Sequence, residues 1–245
     1  MRTCFGKLAR ACQDLCFPPA CLACGARLPD SVGPLFCSAC AVHVRLLNEP
    51  LCRCCGRPFP WAAGESHTCG PCLKKPWQFT AARAVLYYSE PVAQAVHAFK
   101  YRGNTTGPAT FRQLKDRLRH LDSLADADLI VPVPLHVHRL RERGFNQALL
   151  LARALFPAQR RRITPFLLTR TRLTVSQTGL SGGDRRRNLK NAFAVVAPEQ
   201  VAGQRILLVD DIFTTGSTAN ECARTLRRAG ALEVRVLTLA RVSRE

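Results

Sequence analysis

Eight cysteines in four CxxC pairs constrain this chain more tightly than any other feature. Cys21-x2-Cys24 is followed after 12 residues by Cys37-x2-Cys40, and Cys52-x2-Cys55 after 13 residues by Cys69-x2-Cys72. The second set repeats the first at a shift of 31–32 residues. A CxxC turn lets two thiolates converge on one ion, and two such turns joined by a short hairpin make a tetrahedral Cys4 zinc site. The duplication predicts two zinc ions. Both read as structural, because protein thiolates fill every ligand position. Pairing of neighbouring CxxC turns is the simple reading, and interleaved pairing is the alternative. Cys54 competes with Cys55, but Cys52-x2-Cys55-Gly56 matches Cys21-x2-Cys24-Gly25. His43 and His67 lie near the pairs, and His67 could substitute for a thiol. Disulfides would need an oxidising compartment, and nothing in the sequence exports the chain.

Twelve of the 13 cysteines lie at or before Cys72. That boundary divides the 245 residues into a segment 1–18, a double zinc ribbon over 19–75 and a larger domain over 80–245, with Lys74-Lys75-Pro76 as a linker. In the first segment Phe5, Leu8, Ala9, Cys12, Leu15 and Cys16 fall at helical spacing, an amphipathic helix stopped by Pro18-Pro19. Cys4, Cys12 and Cys16 fit helix packing better than metal ligation. Arg2, Lys7, Arg10 and Asp14 interrupt any signal-peptide core. Apolar runs such as Ile206–Val209 are too short to cross a bilayer. These features predict a cytoplasmic chain without membrane insertion.

Beyond residue 80 the pattern alternates between strand and helix. Strands are expected at Ala84–Tyr88, Asp128–Val133, Phe166–Leu168, Phe193–Val196, Arg205–Val209 and Val234–Leu239. Helices are expected at Pro91–Tyr101, Pro108–Leu121, Phe145–Phe156 and Ser217–Ala229. Strands separated by helices imply an α/β fold with a mostly parallel sheet flanked by helices. Residues 170–190 break the rhythm. They are polar and Arg-rich, with Gly182-Gly183, and read as a functional loop or a disordered segment.

The sharpest motif of this domain is Ile206-Leu-Leu-Val-Asp210-Asp211-Ile-Phe-Thr214-Thr215-Gly216-Ser217-Thr218. A buried strand ends in two carboxylates, a hydroxyl-rich turn follows, and a helix begins. Ligands of open α/β sheets bind beyond the carboxyl ends of strands. Backbone N–H groups at a helix N-terminus can surround a phosphate, with Gly216 allowing close approach. The carboxylates suit sugar hydroxyls about one sugar length away, and indirectly a Mg²⁺ held by the ligand. No Walker or dinucleotide fingerprint occurs.

Charge points the same way. Lys and Arg number 36 against 17 acids, a formal +19, and 30 of the basic residues are Arg. Residues 137–190 hold 13 basic and 2 acidic residues. Arg139, Arg141 and Arg143 lie in a basic loop after the Pro-rich turn Val131-Pro-Val-Pro-Leu135. Guanidiniums pair bidentately with phosphate oxygens. Such an excess favours nucleic acid or phosphate-rich small molecules, with an Arg-rich genome and a solvated surface as the alternative. His136 and His138 read as surface residues.

The acidic run resembles the phosphoribosyl pyrophosphate (PRPP) motif of type I phosphoribosyltransferases. With the CxxC pairs, Phe99-Lys100-Tyr101-Arg102-Gly103, Val131–Leu135, Arg143-Gly-Phe-Asn-Gln147, Thr174-x2-Gln177-x2-Leu180 and Arg187-Asn188, the whole chain resembles the ComF family, which includes GntX-like proteins. The resemblance runs from about residue 15 to 241. It implies a type I phosphoribosyltransferase fold behind zinc ribbons. Asp210 and Asp211 would hold the ribose hydroxyls, and Thr214, Thr215, Gly216, Ser217 and Thr218 the 5′-phosphate. Lys100 and Arg143 would join the carboxylates as catalytic groups, with Mg²⁺ carried by PRPP. Cys21, Cys24, Cys37, Cys40, Cys52, Cys55, Cys69 and Cys72 would hold zinc. The resemblance further implies a role in handling single-stranded DNA during natural competence or DNA use, with a competence helicase or other DNA-processing proteins as partners. It supplies no acceptor for the phosphoribosyl group. The alternative is a catalytically inactive module that senses PRPP or binds single-stranded DNA, with Arg185–Arg187 following the DNA backbone.

Overall fold

Strands β1 (Ala81–Tyr87), β2 (Leu129–Pro132), β3 (Leu168–Arg170), β4 (Phe193–Val195), β5 (Arg205–Phe213) and β6 (Glu233–Arg241) form two sheets. The computed structural model describes residues 19–28, 36–59, 64–101, 107–118, 121, 124, 126–172 and 189–243. The main sheet has the order β1-β6-β5-β2, and every neighbouring pair is parallel. β3 and β4 pair antiparallel in a separate two-stranded sheet. That corrects their expected place in the parallel sheet.

Ile206, Leu207, Leu208 and Val209 are all buried, although successive residues point to opposite faces. A strand reads this way when both faces of its sheet are covered. On one face, Leu207, Val209, Leu237 and Leu239 pack with Phe99, Phe111 and Leu151. These three come from helices Val92–Tyr101 (α3), Gly107–Lys115 (α4) and Gln147–Leu155 (α6). On the other face, Ile206, Leu208, Val234 and Val236 pack with Cys222, Ala223 and Leu226 of α7 (Ser217–Arg228). The cysteine module adds the short helices Ser38–Ala41 (α1) and Gly70–Lys74 (α2).

Several expected elements shift. The α4 helix stops at Lys115, short of Leu121. β3 begins at Leu168, leaving Phe166 exposed. β5 does not end before its two carboxylates. Asp210 pairs with Thr238 and Phe213 with Arg241, so the strand runs four residues further. The expected basic loop 139–143 is a helix, α5 (Val137–Arg143). The His136 Nδ1 accepts from the His138 N–H at its start, and Gly144 ends it in the left-handed region at φ 77°. His138 also faces Glu142 at 3.2 Å on its surface. The expected helix over residues 3–16, the segment Arg102-Gly103 and the loop carrying Thr174, Gln177, Leu180, Arg185–Arg187 and Asn188 lie outside the described residues.

The cysteine module continues the main sheet beyond β1. The Leu47 N–H donates to the Val85 carbonyl and the Tyr87 N–H to the Arg45 carbonyl. The Ala82 N–H donates to the Cys54 carbonyl at 2.7 Å. Gly25 and Gly56 occupy matching turn positions, at φ 77° and 70°. Their surroundings differ. A Cβ on Gly25 would meet nothing within 4 Å, whereas one on Gly56 would run into the Ala82 carbonyl oxygen. Gly25→Ala should cost about 1–2 kcal/mol, the left-handed backbone penalty alone. Gly56→Ala should cost more, because β1 backbone must also move. Thermal melting should rank wild type, Gly25→Ala, then Gly56→Ala. Equal melting of the two variants would remove the close contact from the account.

Candidate functional site

The site forms where β5 leaves the sheet. The extra residues of β5 carry Asp210 and Asp211 to the mouth of a cavity of about 510 Å³. Gly216 then turns the chain at φ 72° into α7. Thr214 and Thr218 line the cavity, and Gly216 and Ser217 line a small adjoining pocket with them. Thr215 lines neither. Its hydroxyl lies 2.9 Å from the Ser217 hydroxyl and accepts from the Ser217 N–H. A Cβ on Gly216 would lie 2.5 Å from the Phe213 ring, so the turn requires glycine on two counts.

Basic groups face the acids across the cavity. Lys100, in the last turn of α3, meets Asp211 at 2.6 Å with both side chains largely buried. Arg139 and Arg143 stand four residues apart on α5, which puts both on one helix face, and both line the cavity. The Arg143 guanidinium donates to Gln147 Oε1 at 3.1 Å and to the Tyr101 hydroxyl at 3.2 Å. It also lies 5.0 Å from the centre of the Tyr101 ring. Arg170 completes the basic wall. Asn146 caps α6 through its side chain and donates to the Val133 carbonyl, so the Pro-rich turn and the helix are tied together.

Burial sets the electrostatics. Desolvation and the neighbouring Asp211 charge push Asp210 up to about 7, against the pull of the Asp211 N–H, Lys100 and Arg170. Burial works against a charged Lys100, but the charge and hydrogen bond of Asp211 outweigh it and raise its pKa. The arrangement can hold a polyanion and its sugar together, with cations for phosphate and carboxylates for hydroxyls.

Of the sequence-derived site residues, the structure brings Lys100, Arg143, Asp210, Asp211, Thr214 and Thr218 to one cavity. His97 and Tyr88 also line it and were not singled out by sequence. His97 lies one helical turn before Lys100, which is the signal that could have found it.

The cysteines form two four-thiol groups, Cys21/Cys24/Cys37/Cys40 and Cys52/Cys55/Cys69/Cys72. Neighbouring CxxC turns therefore pair, and interleaving is excluded. Within each group every sulfur lies within 4.8 Å of the others. Cys24 and Cys37 are 3.7 Å apart, Cys55 and Cys69 3.8 Å, and Cys52 and Cys72 3.9 Å. A tetrahedron with zinc–sulfur bonds of about 2.3 Å has edges of about 3.8 Å, so both donor sets fit zinc. The second group is fully buried, and the first is partly open. Burial raises the Cys52 thiol, but the N–H groups of Cys69, Cys55 and Cys54 outweigh it and bring the pKa down to about 6. Cys54 stays outside the tetrad.

Sheet, turn and thiol tetrads together define a zinc-ribbon protein with a phosphoribosyltransferase domain. Residues 12–73 match the double zinc ribbon domain family, and residues 157–245 match the phosphoribosyl transferase domain family. The chain is 38% identical over 233 residues to DNA utilization protein YhgH of Escherichia coli O6:H1, covering 93% of this chain and 99% of that one. It is 35% identical over 212 residues to competence protein F of Haemophilus influenzae, covering 84% and 90%. Competence protein ComFC of Bacillus subtilis is 28% identical over 215 residues, covering 84% and 83%. The chain belongs to the family of these competence and DNA utilization proteins. A solved glutamine PRPP amidotransferase from B. subtilis overlaps 62% of this chain and 29% of its own, at 23% identity and TM-score 0.34, too slight an overlap to add to that assignment. Among the described residues, no helix is long and apolar enough to cross a membrane.

Asp210 predicts a pH signature. A carboxyl that titrates near 7 in the folded chain and near 3.9 unfolded keeps its proton longer when folded. Its contribution to stability is full below about pH 4 and is lost as pH rises through 7. Asp210→Asn should therefore melt above wild type at pH 8 and close to it at pH 4.5. A variant less stable than wild type at pH 8 would contradict the raised pKa.

Proposed function

We propose that the cavity binds Mg-PRPP and that the protein is a phosphoribosyltransferase serving DNA uptake or DNA use. The observation that carries this reading is the meeting of Asp210 and Asp211 with Lys100, Arg139 and Arg143 above the Thr214–Thr218 turn. The carboxylates hold the ribose hydroxyls, and the turn holds the 5′-phosphate with backbone N–H groups at the start of α7. Lys100, Arg143 and Mg²⁺ meet the pyrophosphate. Lys100 already engages Asp211, so Mg²⁺ arrives with the ligand rather than in a protein cage.

In the transfer, the bond from the anomeric carbon to the pyrophosphate oxygen breaks, and a bond to the acceptor nucleophile forms. The bonding pair leaves with Mg-pyrophosphate, and the acceptor gives up its proton. Positive charge builds on the sugar between the two events. The carboxylates stabilise it, and the cations stabilise the leaving group. Positioning supplies much of the rest. The role in DNA uptake or use rests on the names of the relatives.

Calorimetric titration tests the site. Wild type should bind Mg-PRPP, and Asp210→Asn and Asp211→Asn should bind at least about tenfold more weakly, a loss of about 1.4 kcal/mol. Equal heats in all three would remove the assignment. Lys100→Met and Arg143→Met should slow pyrophosphate release by about 10²-fold if they stabilise the leaving group. PRPP binding with no release in the presence of nucleobase, nucleotide and DNA acceptors would identify a PRPP sensor.

Single-stranded DNA at the cavity mouth is the second reading, favoured by Tyr101, which is 60% exposed with the Arg143 guanidinium against its ring. A base can stack on such an aromatic face while guanidiniums follow the backbone. Arg139→Ala with Arg141→Ala should flatten the salt dependence of oligonucleotide affinity, by about 0.7 per lost phosphate contact. Fluorescence anisotropy at several salt concentrations measures the slope. An unchanged slope places DNA elsewhere.

A further inference from the structure

The second thiol tetrad and the phosphate turn share two side chains that neither zinc ligation nor the cavity accounts for. Trp77 donates its indole N–H to Cys72 Sγ at 3.2 Å. Its ring stacks on Phe79 at 5.1 Å and meets Phe213 edge-on at 6.3 Å. The Trp77 and Phe213 rings together form the seat of Gly216, since a Cβ there would lie 3.1 Å from one and 2.5 Å from the other. On the other side, the buried Arg241 donates to the Cys55 carbonyl and reaches Cys55 Sγ at 3.8 Å. The same guanidinium lies 4.5 Å from the centre of the Phe213 ring. A third contact runs from the Gln78 N–H to Asn220 Oδ1 at 2.8 Å, in the first turn of α7. Trp77, just after the expected linker, and Arg241, at the end of β6, therefore brace the turn, and both are anchored on cysteines of the second tetrad. The first tetrad offers a built-in comparison, because Cys21 packs into the core of the opposite sheet face.

We propose that Trp77 and Arg241 are positioning residues that couple metal loading of the second tetrad to the phosphate turn, so that zinc there and PRPP at the turn each tighten the binding of the other. This rests on the PRPP reading only for the identity of the turn's ligand. With zinc bound, four thiolates leave a negative centre, which Arg241 and the Trp77 N–H meet from outside the ligand shell. Without zinc, nothing templates Cys55 and Cys72, and both braces lose their anchor. Coupling between two binding sites is reciprocal by thermodynamic necessity.

The experiment uses the full chain loaded with zinc and has two arms. In the first, amide hydrogen exchange over Thr214–Thr218 is compared between wild type, Cys21→Ser and Cys52→Ser. Loss of zinc from the second tetrad should speed exchange at the turn about fivefold or more, and loss from the first should leave it within twofold. In the second, zinc release to a chelating dye is followed with and without Mg-PRPP. Mg-PRPP should slow one of the two release phases about fivefold or more, and Cys21→Ser should retain that phase. Trp77→Phe removes both the donor to Cys72 and the outer indole carbon that seats Gly216, and should cut the slowing to less than twofold while PRPP still binds by calorimetry. Unchanged turn exchange in Cys52→Ser overturns the proposal, as does PRPP binding that leaves both release phases unchanged. Absence of PRPP binding to wild type refutes the reading of the cavity, and the exchange arm then decides the coupling alone.

Discussion

Parallel pairing of β5 with β6 beyond the expected end of both strands is the interaction on which the rest of the molecule depends. Asp210 opposite Thr238 and Phe213 opposite Arg241 are consecutive parts of one ladder. The ladder lifts a carboxylate pair out of an apolar sheet and holds it at the cavity mouth. It also sets Phe213 beneath the Arg241 guanidinium, which places the floor of the turn. An isolated Asp-Asp pair in a loop would be solvated and free to reorient. Here the Asp211 N–H returns to Asp210 Oδ1 at 2.9 Å and the Ile212 N–H to Asp211 Oδ1 at 2.6 Å, so local backbone fixes both side chains.

That rigidity has a cost in stability. Asp210 is largely desolvated beside a second carboxylate, and Lys100 bridges to Asp211. Functional sites commonly hold such unfavourable charge because a ligand needs it. Lys100 offsets part of the repulsion when no ligand is present, and its place in α3 depends on Phe99 being fully buried one residue earlier. The core on one sheet face thus positions a charge, while the core on the other positions the turn.

Much of this was legible in the sequence, for identifiable reasons. The four CxxC pairs and the acidic run carry their chemistry in local spacing, so the eight thiols and the strand–turn–helix unit could be read directly, while the fold decided how the CxxC turns pair. The extension of β5 could not, because aspartate disfavours strands and only pairing with β6 overrides that preference. The α5 helix escaped because the only apolar residues of Val137-His-Arg-Leu-Arg-Glu-Arg are Val137 and Leu140, and both stay exposed. Its ends are set instead by the His136 cap and by Gly144. Trp77 and Arg241 gave no local signal at all. The Arg241–Cys55 contact spans 186 residues, and its meaning exists only once the chain is folded.

The hydrogen bonds that residues 45–54 make to β1 have a consequence for the edge of the main sheet. A strand at the side of a parallel sheet displays unpaired N–H and C=O groups that will accept any passing strand. Here Arg45, Leu47 and Cys54 occupy those groups on β1, with Leu47 and Leu51 covering Ala84 and Tyr87. The cysteine module therefore covers the sheet as well as presenting two thiol tetrads that fit zinc. A chain severed near residue 75 would lose this cover and bare an adhesive flank along Ala81–Tyr87.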